Sequence, residues 1–156
     1  MGLDARRMVV LAALFSGCSS TSPGDHLRFG GDTRAFLLAD GRAKITAYVY
    51  MEEGEWKKGD KFCVSAVWYE KAEWDAFAAK ATHTHWDTPE PARAYQAEEC
   101  STAAIAEGES AVIEVVTATP LPADTNDRYA FILWVTTDVV GGSSYWMQMP
   151  ALTPET

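Results

Sequence analysis

Between residues 43 and 51 apolar and polar positions alternate. Ile45, Ala47 and Val49 share one face, while Lys44, Thr46, Tyr48 and Tyr50 share the other. A period of two predicts a half-buried strand over Ala43–Met51. Upstream, residues 33–39 form a short apolar segment around Phe36, Leu37 and Leu38, and Asp40-Gly41 signals a turn. Residues 52–60 are polar, contain Gly54 and Gly59, and read as a loop. Residues 61–70 form the next strand. Phe62, Val64, Ala66 and Trp68 lie on one face and Cys63, Ser65, Val67 and Tyr69 on the other. Both faces are substantially apolar, so this strand is predicted to be central, or covered by the segment after it.

The period then changes. Trp74, Phe77, Ala78 and Ala81 recur at helical spacing and predict a short helix over residues 72–81. Residues 82–99 contain Pro89 and Pro91 and show no clean period, so they read as an excursion. Residues 110–119 are β-branched and predict a strand that Pro120 and Pro122 end. A turn follows at 124–127. Residues 128–138, with Ile132, Trp134, Val135 and Thr136, give the strongest strand of the chain. Gly141-Gly142 signals a hairpin into a strand at 143–149, which Pro150 stops. Five or more strands with short turns and one helix predict a mainly β fold, an antiparallel β-sandwich with a short helical insertion. A helix-rich α+β domain is the alternative.

The first residues follow neither period. Arg6 and Arg7 precede the apolar run Met8-Val9-Val10-Leu11-Ala12-Ala13-Leu14-Phe15, then Ser16, Gly17 and Cys18. A basic start, a short apolar run and small residues describe a secretory signal rather than a membrane span. The small residues directly before Cys18 resemble the lipobox of bacterial lipoproteins. That resemblance implies cleavage before Cys18 and its acylation. Ser19 in the next position implies delivery to the outer membrane. The domain plan is therefore a signal peptide at 1–17, a lipidated Cys18 with a flexible tether through residue 32, and one domain at 33–156. Acylation of Cys18 would leave Cys63 and Cys100 as an even pair, and the periplasm favours their oxidation to a disulfide.

Charge narrows the partners. The chain carries 13 basic and 22 acidic residues, a net charge of −9. Without residues 1–17 it loses Arg6, Arg7 and Asp4, leaving 11 basic and 21 acidic residues. Nucleic-acid binding needs a basic footprint that this composition lacks. A basic-face attachment to anionic lipid is disfavoured for the same reason.

The sequence offers candidates for chemistry but no reactive set. His83 and His85 point the same way on an extended segment, with Asp87 or Glu90 as oxygen donors and His26 far off in the tether. A solvated loop explains them more simply than a metal site. Glu52, Glu53 and Glu55 lack the spacing of a calcium loop. There is no G-x-S-x-G elbow, no Walker sequence and no G-x-G-x-x-G. No metal, cofactor or catalytic residue is assigned. Of six Trp residues, Trp68, Trp74 and Trp134 read as core. Trp56, Trp86 and Trp146 lie in or near polar stretches and are candidate surface platforms for sugar stacking.

One order of short motifs carries a family resemblance. Leu38-Ala39-Asp40-Gly41-Arg42 leads into a strand, Gly108-Glu109-Ser110 precedes another, Asp127-Arg128-Tyr129 opens the long apolar strand, and Trp146 is followed by Pro150-Ala151-Leu152. This succession resembles the outer-membrane lipoprotein of type VI secretion systems, the TssJ family, over scattered positions of residues 38–152. Ala43 stands where that family usually has a proline. The resemblance implies a transthyretin- or immunoglobulin-like sandwich and a non-enzymatic anchor facing the periplasm. Its implied partner is the periplasmic domain of the inner-membrane TssM subunit. By position, Asp40, Gly41 and Arg42 would contact that partner. A carbohydrate- or peptidoglycan-binding module using Trp56, Trp86 and Trp146 is the rival reading.

Overall fold

A computed structural model describes residues 26–80, 89–137 and 143–156. The elements are β1 (Leu27–Phe29), β2 (Arg34–Leu37), β3 (Ala43–Met51), β4 (Phe62–Glu70), α1 (Lys71–Lys80), β5 (Tyr95–Ser101), β6 (Ser110–Val116), α2 (Thr125–Arg128), β7 (Tyr129–Thr137), β8 (Ser143–Gln148) and β9 (Thr153–Pro154). They form a mainly β fold of two packed sheets, the sandwich that the alternation predicts. β3 is the centre of the five-stranded sheet. β6 pairs along one edge of β3, and β1 and β2 follow one another along the other. β9 runs parallel outside β2. The second sheet has the order β5-β4-β7-β8, all antiparallel.

The alternation of β3 is realised residue by residue. Ala43, Ile45, Ala47, Val49 and Met51 are buried, and the residues between them are half-exposed. β4 is buried on both faces, for the reason its composition suggests. Phe62, Val64, Ala66 and Trp68 meet the five-stranded sheet in the main core. Val67 and Tyr69 look the other way, into a second core under α1 with Trp74, Phe77, Ala130, Ile132 and Trp134. Trp68 stacks on Phe131, centroids 4.4 Å apart, between the sheets. In the second core Trp74 lies against Tyr69 at 4.9 Å and edge-on to Trp134 and Trp146. α1 therefore acts as a lid over a sheet face that would otherwise expose a wide apolar surface.

Several expectations change. The tether predicted through residue 32 ends earlier, because Leu27 and Phe29 are buried where β1 pairs with the end of β3. Three residues between polar neighbours are too short to show a period, so only the pairing reveals them. The excursion predicted at 82–99 closes as β5, which pairs with β4 from Trp68↔Tyr95 to Phe62↔Ser101. β5 is an edge strand, and Glu98 and Glu99 mask its alternation. The turn predicted at 124–127 continues into the single turn of α2. The helix predicted at 72–81 begins one residue earlier, at Lys71. The Gly141-Gly142 hairpin and Ala81 lie outside the described residues.

Cys63 and Cys100 are directly opposite one another on β4 and β5 and are joined in a disulfide, 37 positions apart in sequence. Glu98, on the same edge strand, accepts a 2.6 Å hydrogen bond from the Ser65 hydroxyl. Cys63, Glu98 and Cys100 form the one trio of metal-ligand side chains among the described residues, and the S–S bond consumes both sulfurs.

Candidate binding site at the 40–42 turn

The connection from β2 to β3 is tight. Leu38 N–H donates to Arg42 O at 2.8 Å, and Gly41 N–H donates to Leu38 O at 2.9 Å. Gly41 has φ +85°, a conformation that glycine adopts without the penalty a Cβ would bring. A Cβ there would also sit 3.2 Å from the Pro120 ring. At the tip, Asp40 accepts two hydrogen bonds from Arg42, one from its N–H at 3.1 Å and one from Nε at 2.7 Å. The Arg42 backbone bond, then its guanidinium, hold the Asp40 carboxyl below its ordinary range. Both side chains stay exposed to solvent. The turn thus presents a fixed, neutralised ion pair rather than two mobile charges.

Beside it lies an apolar recess of about 260 Å³ between the turn, the Pro120–Ala123 stretch and the chain end. Leu37, Gly41, Leu121, Pro122 and Leu152 are among its walls. Leu121 N–H donates to Gly41 O at 2.9 Å, which ties the wall to the turn. Thr117 secures the same end. Its hydroxyl accepts from Ala43 N–H at 2.9 Å and its own N–H donates to Ala43 O. Asn126 forms the floor. Its amide donates to Leu152 O at 3.0 Å and accepts from Leu152 N–H at 2.8 Å, copying a strand pair with a side chain. A second recess of about 230 Å³, reaching Trp68, Tyr129 and Gln148, adjoins the first across Thr125 and Asn126. Lys71 Nζ donates to Asn126 O at 3.0 Å on its rim. Asp40, Gly41 and Arg42 are therefore gathered at one end of the sandwich with a preformed apolar depression. Leu121, Asn126 and Leu152 are the members that sequence reading misses, because only the fold brings residues 37, 121, 126 and 152 together.

The Trp candidates fare differently. Trp56 is a correction: it is 1% exposed, sits edge-on to Phe62, and donates its indole N–H to Asp60 O at 2.9 Å. The polar loop folds back and uses the indole as a plug, held by mutual main-chain bonds between Trp56 and Ile105. Trp56 offers no face to a sugar. Trp146 is half-buried with its ring edge-on to Trp74 at 5.1 Å. Trp86, His83, His85, Asp87 and Cys18 lie outside the described residues.

Glu90 has a structural task. It accepts from the Tyr69 hydroxyl and from Arg93 Nε, the latter at 2.6 Å. Trp134 Nε1 donates to the same Tyr69 oxygen at 2.9 Å. Burial raises the Glu90 carboxyl, but the hydrogen bonds from Arg93 and Tyr69 outweigh it and hold the group below its ordinary range. Burial, then the hydrogen bond to Glu90 and its charge, push the Tyr69 phenol well above its ordinary range. This network pins the start of the segment leading to β5 onto the sheet. Glu52 pairs with Arg28 at 3.1 Å, while Glu53 and Glu55 are exposed.

No protein-family model, curated protein or solved structure matches the chain.

Proposed function

We propose that this chain is a non-enzymatic lipoprotein of the outer membrane, anchored through Cys18 and facing the periplasm, that works by protein–protein contact at its 40–42 pole. The observation that carries the reading is the placement of that pole. β1 enters the sandwich at Leu27, opposite Met51 at one end of β3. The Asp40-Gly41-Arg42 turn precedes Ala43, at the other end of the same strand. Across β3 the two ends are ~27 Å apart, at ~3.4 Å per residue. With the anchor we propose on the N-terminal side of β1, the turn and its recess lie at the end of β3 far from the point of attachment.

An apolar side chain seated in the recess, with the Asp40–Arg42 pair at its rim, matches the usual plan of a buried anchor and a polar border. Consistent with the family resemblance, the partner we propose is the periplasmic domain of the TssM subunit of a type VI secretion system. The test is a pull-down from solubilised envelopes of the native host with the lipidated protein. The expected result is enrichment of that inner-membrane subunit, lost in Arg42→Ala and in Leu121→Asp. Cys18→Ser should release the protein from membranes. Recovery of no envelope protein, or equal recovery by Arg42→Ala and Leu121→Asp, would overturn the reading.

A further inference from the structure

A strand at the edge of a sheet offers a row of unused main-chain donors and acceptors, and folded proteins blunt such edges with charge, proline or shortness. Three of the outer strands here follow that rule. β9 has two residues, one of them Pro154. β5 carries Glu98 and Glu99. β6 carries Glu114 and lies beside β5 across one flank of the sandwich, as the three-residue β1 lies beside β8 across the other without a backbone pairing to it. β8 does not follow it. Its sequence, Ser-Ser-Tyr-Trp-Met-Gln, contains neither charge nor proline. It pairs with β7 along one edge, and no described strand pairs with the other.

Two aromatic rings flank that open edge, one on each face of the sheet. Tyr145 is 36% exposed and is held by Phe29, at a centroid distance of 6.3 Å, and by the Arg28 guanidinium 4.6 Å from its centroid. Trp146 leans on Trp74 and Trp134 on the α1 side. Rings already fixed by packing lose little freedom when a partner covers them.

We infer that β8 is a strand-accepting edge that takes an extended segment of a partner protein. The segment adds to the sheet through main-chain hydrogen bonds, the mode of β-augmentation. β8 is long enough for about five or six residues. Alternate side chains of the segment lie over Trp146 and beside Tyr145, where β-branched residues pair best with aromatics. Charge selects the occupant. At −9 the chain repels a second copy of itself and attracts a segment flanked by Lys or Arg, and the one cation placed at this edge, Arg28, is paired with Glu52 at 3.1 Å. This surface is distinct from the 40–42 pole and approaches it only at Gln148, on the wall of the second recess.

The test uses the full chain and the synthetic peptide Lys-Lys-Val-Thr-Val-Thr-Val-Lys-Lys, followed by residue-resolved amide hydrogen exchange. In the free protein the β8 amides directed away from β7 should exchange fast, and the peptide should slow them about tenfold or more. Ser144→Lys should weaken the peptide about tenfold through charge repulsion and leave the melting temperature unchanged. Val112→Lys, on β6, should leave peptide binding unchanged. Protection of the outward β8 amides in the free monomer would mean the chain covers its own edge and would overturn the inference. So would protection that appears on β6 or at the 40–42 pole instead, or no protection at millimolar peptide. Protection that vanishes on dilution with a dimer-to-monomer transition would identify a second copy as the occupant and refute the basic-segment assignment.

Discussion

The Cys63–Cys100 bond allows a sharp test of what holds β5 in place. Its sequence separation of 37 residues encloses α1 and the segment to β5. Closing a loop of that size in the unfolded chain is worth about 4 kcal/mol on loop-closure entropy. For a domain of this size that corresponds to a melting shift of roughly 10–15 °C. Cys63→Ser should lose that amount under oxidising conditions and nothing further in reductant, where the wild-type chain falls to the level of the variant. Thermal unfolding of both proteins, each with and without dithiothreitol, supplies the measurement. A second readout separates the unfolded-state effect from packing. Freed of the cross-link, the denatured chain expands, so the urea m-value should rise in Cys63→Ser and in reduced wild type alike. Equal destabilisation by Cys63→Ser in oxidising and reducing buffer, with unchanged m-values, would show that the loss comes from native packing around β4 and β5. That result would refute the entropic account.

The remaining expectations follow from the turn and the Glu90 network. Gly41→Ala should cost about 1–3 kcal/mol, since the residue must hold a positive φ while its Cβ meets Pro120, and urea titration reads the loss directly. Glu90 has a folded-state pKa below its unfolded value, so its contribution is complete above the unfolded pKa and disappears as pH falls through the folded one. Glu90→Gln should therefore flatten the acid limb of the stability-against-pH curve, and an unchanged acid limb would mean the network contributes nothing. Tyr69 has the opposite sign: its raised pKa gives stability present below about pH 10 that is lost as pH climbs, so Tyr69→Phe should flatten the alkaline limb.

Much of the sandwich is legible in the residues because burial leaves a period. β3 is buried at every second residue and is found to the residue from its alternation. The two apolar faces of β4 announce two layers of cover, and the stripe of Trp74, Phe77 and Ala78 announces the helix that supplies one of them. The Asp40-Gly41 turn is legible because a positive φ demands a particular residue. Elements without a buried stripe stay hidden. β1 and β9 are too short to show a period, and β5 is an edge whose glutamates face water. Trp56 misleads for a related reason: its neighbours in sequence are polar, while its neighbours in space are Phe62 and Ile105.

By itself, then, the sequence determined the sandwich class, the acidic balance of charge, the pairing of Cys63 with Cys100 and the position of the 40–42 turn. Local composition carries those properties. The tertiary structure alone decided that Leu37, Leu121, Asn126 and Leu152 enclose a recess beside Asp40 and Arg42, and that Glu90 belongs to Tyr69 and Arg93. It alone left β8 paired with β7 on one side and with no strand on the other among the described residues. Such features depend on which distant segments pack together. That choice is made by the summed burial of both cores and the pairing of whole strands, and no stretch of neighbouring residues encodes it.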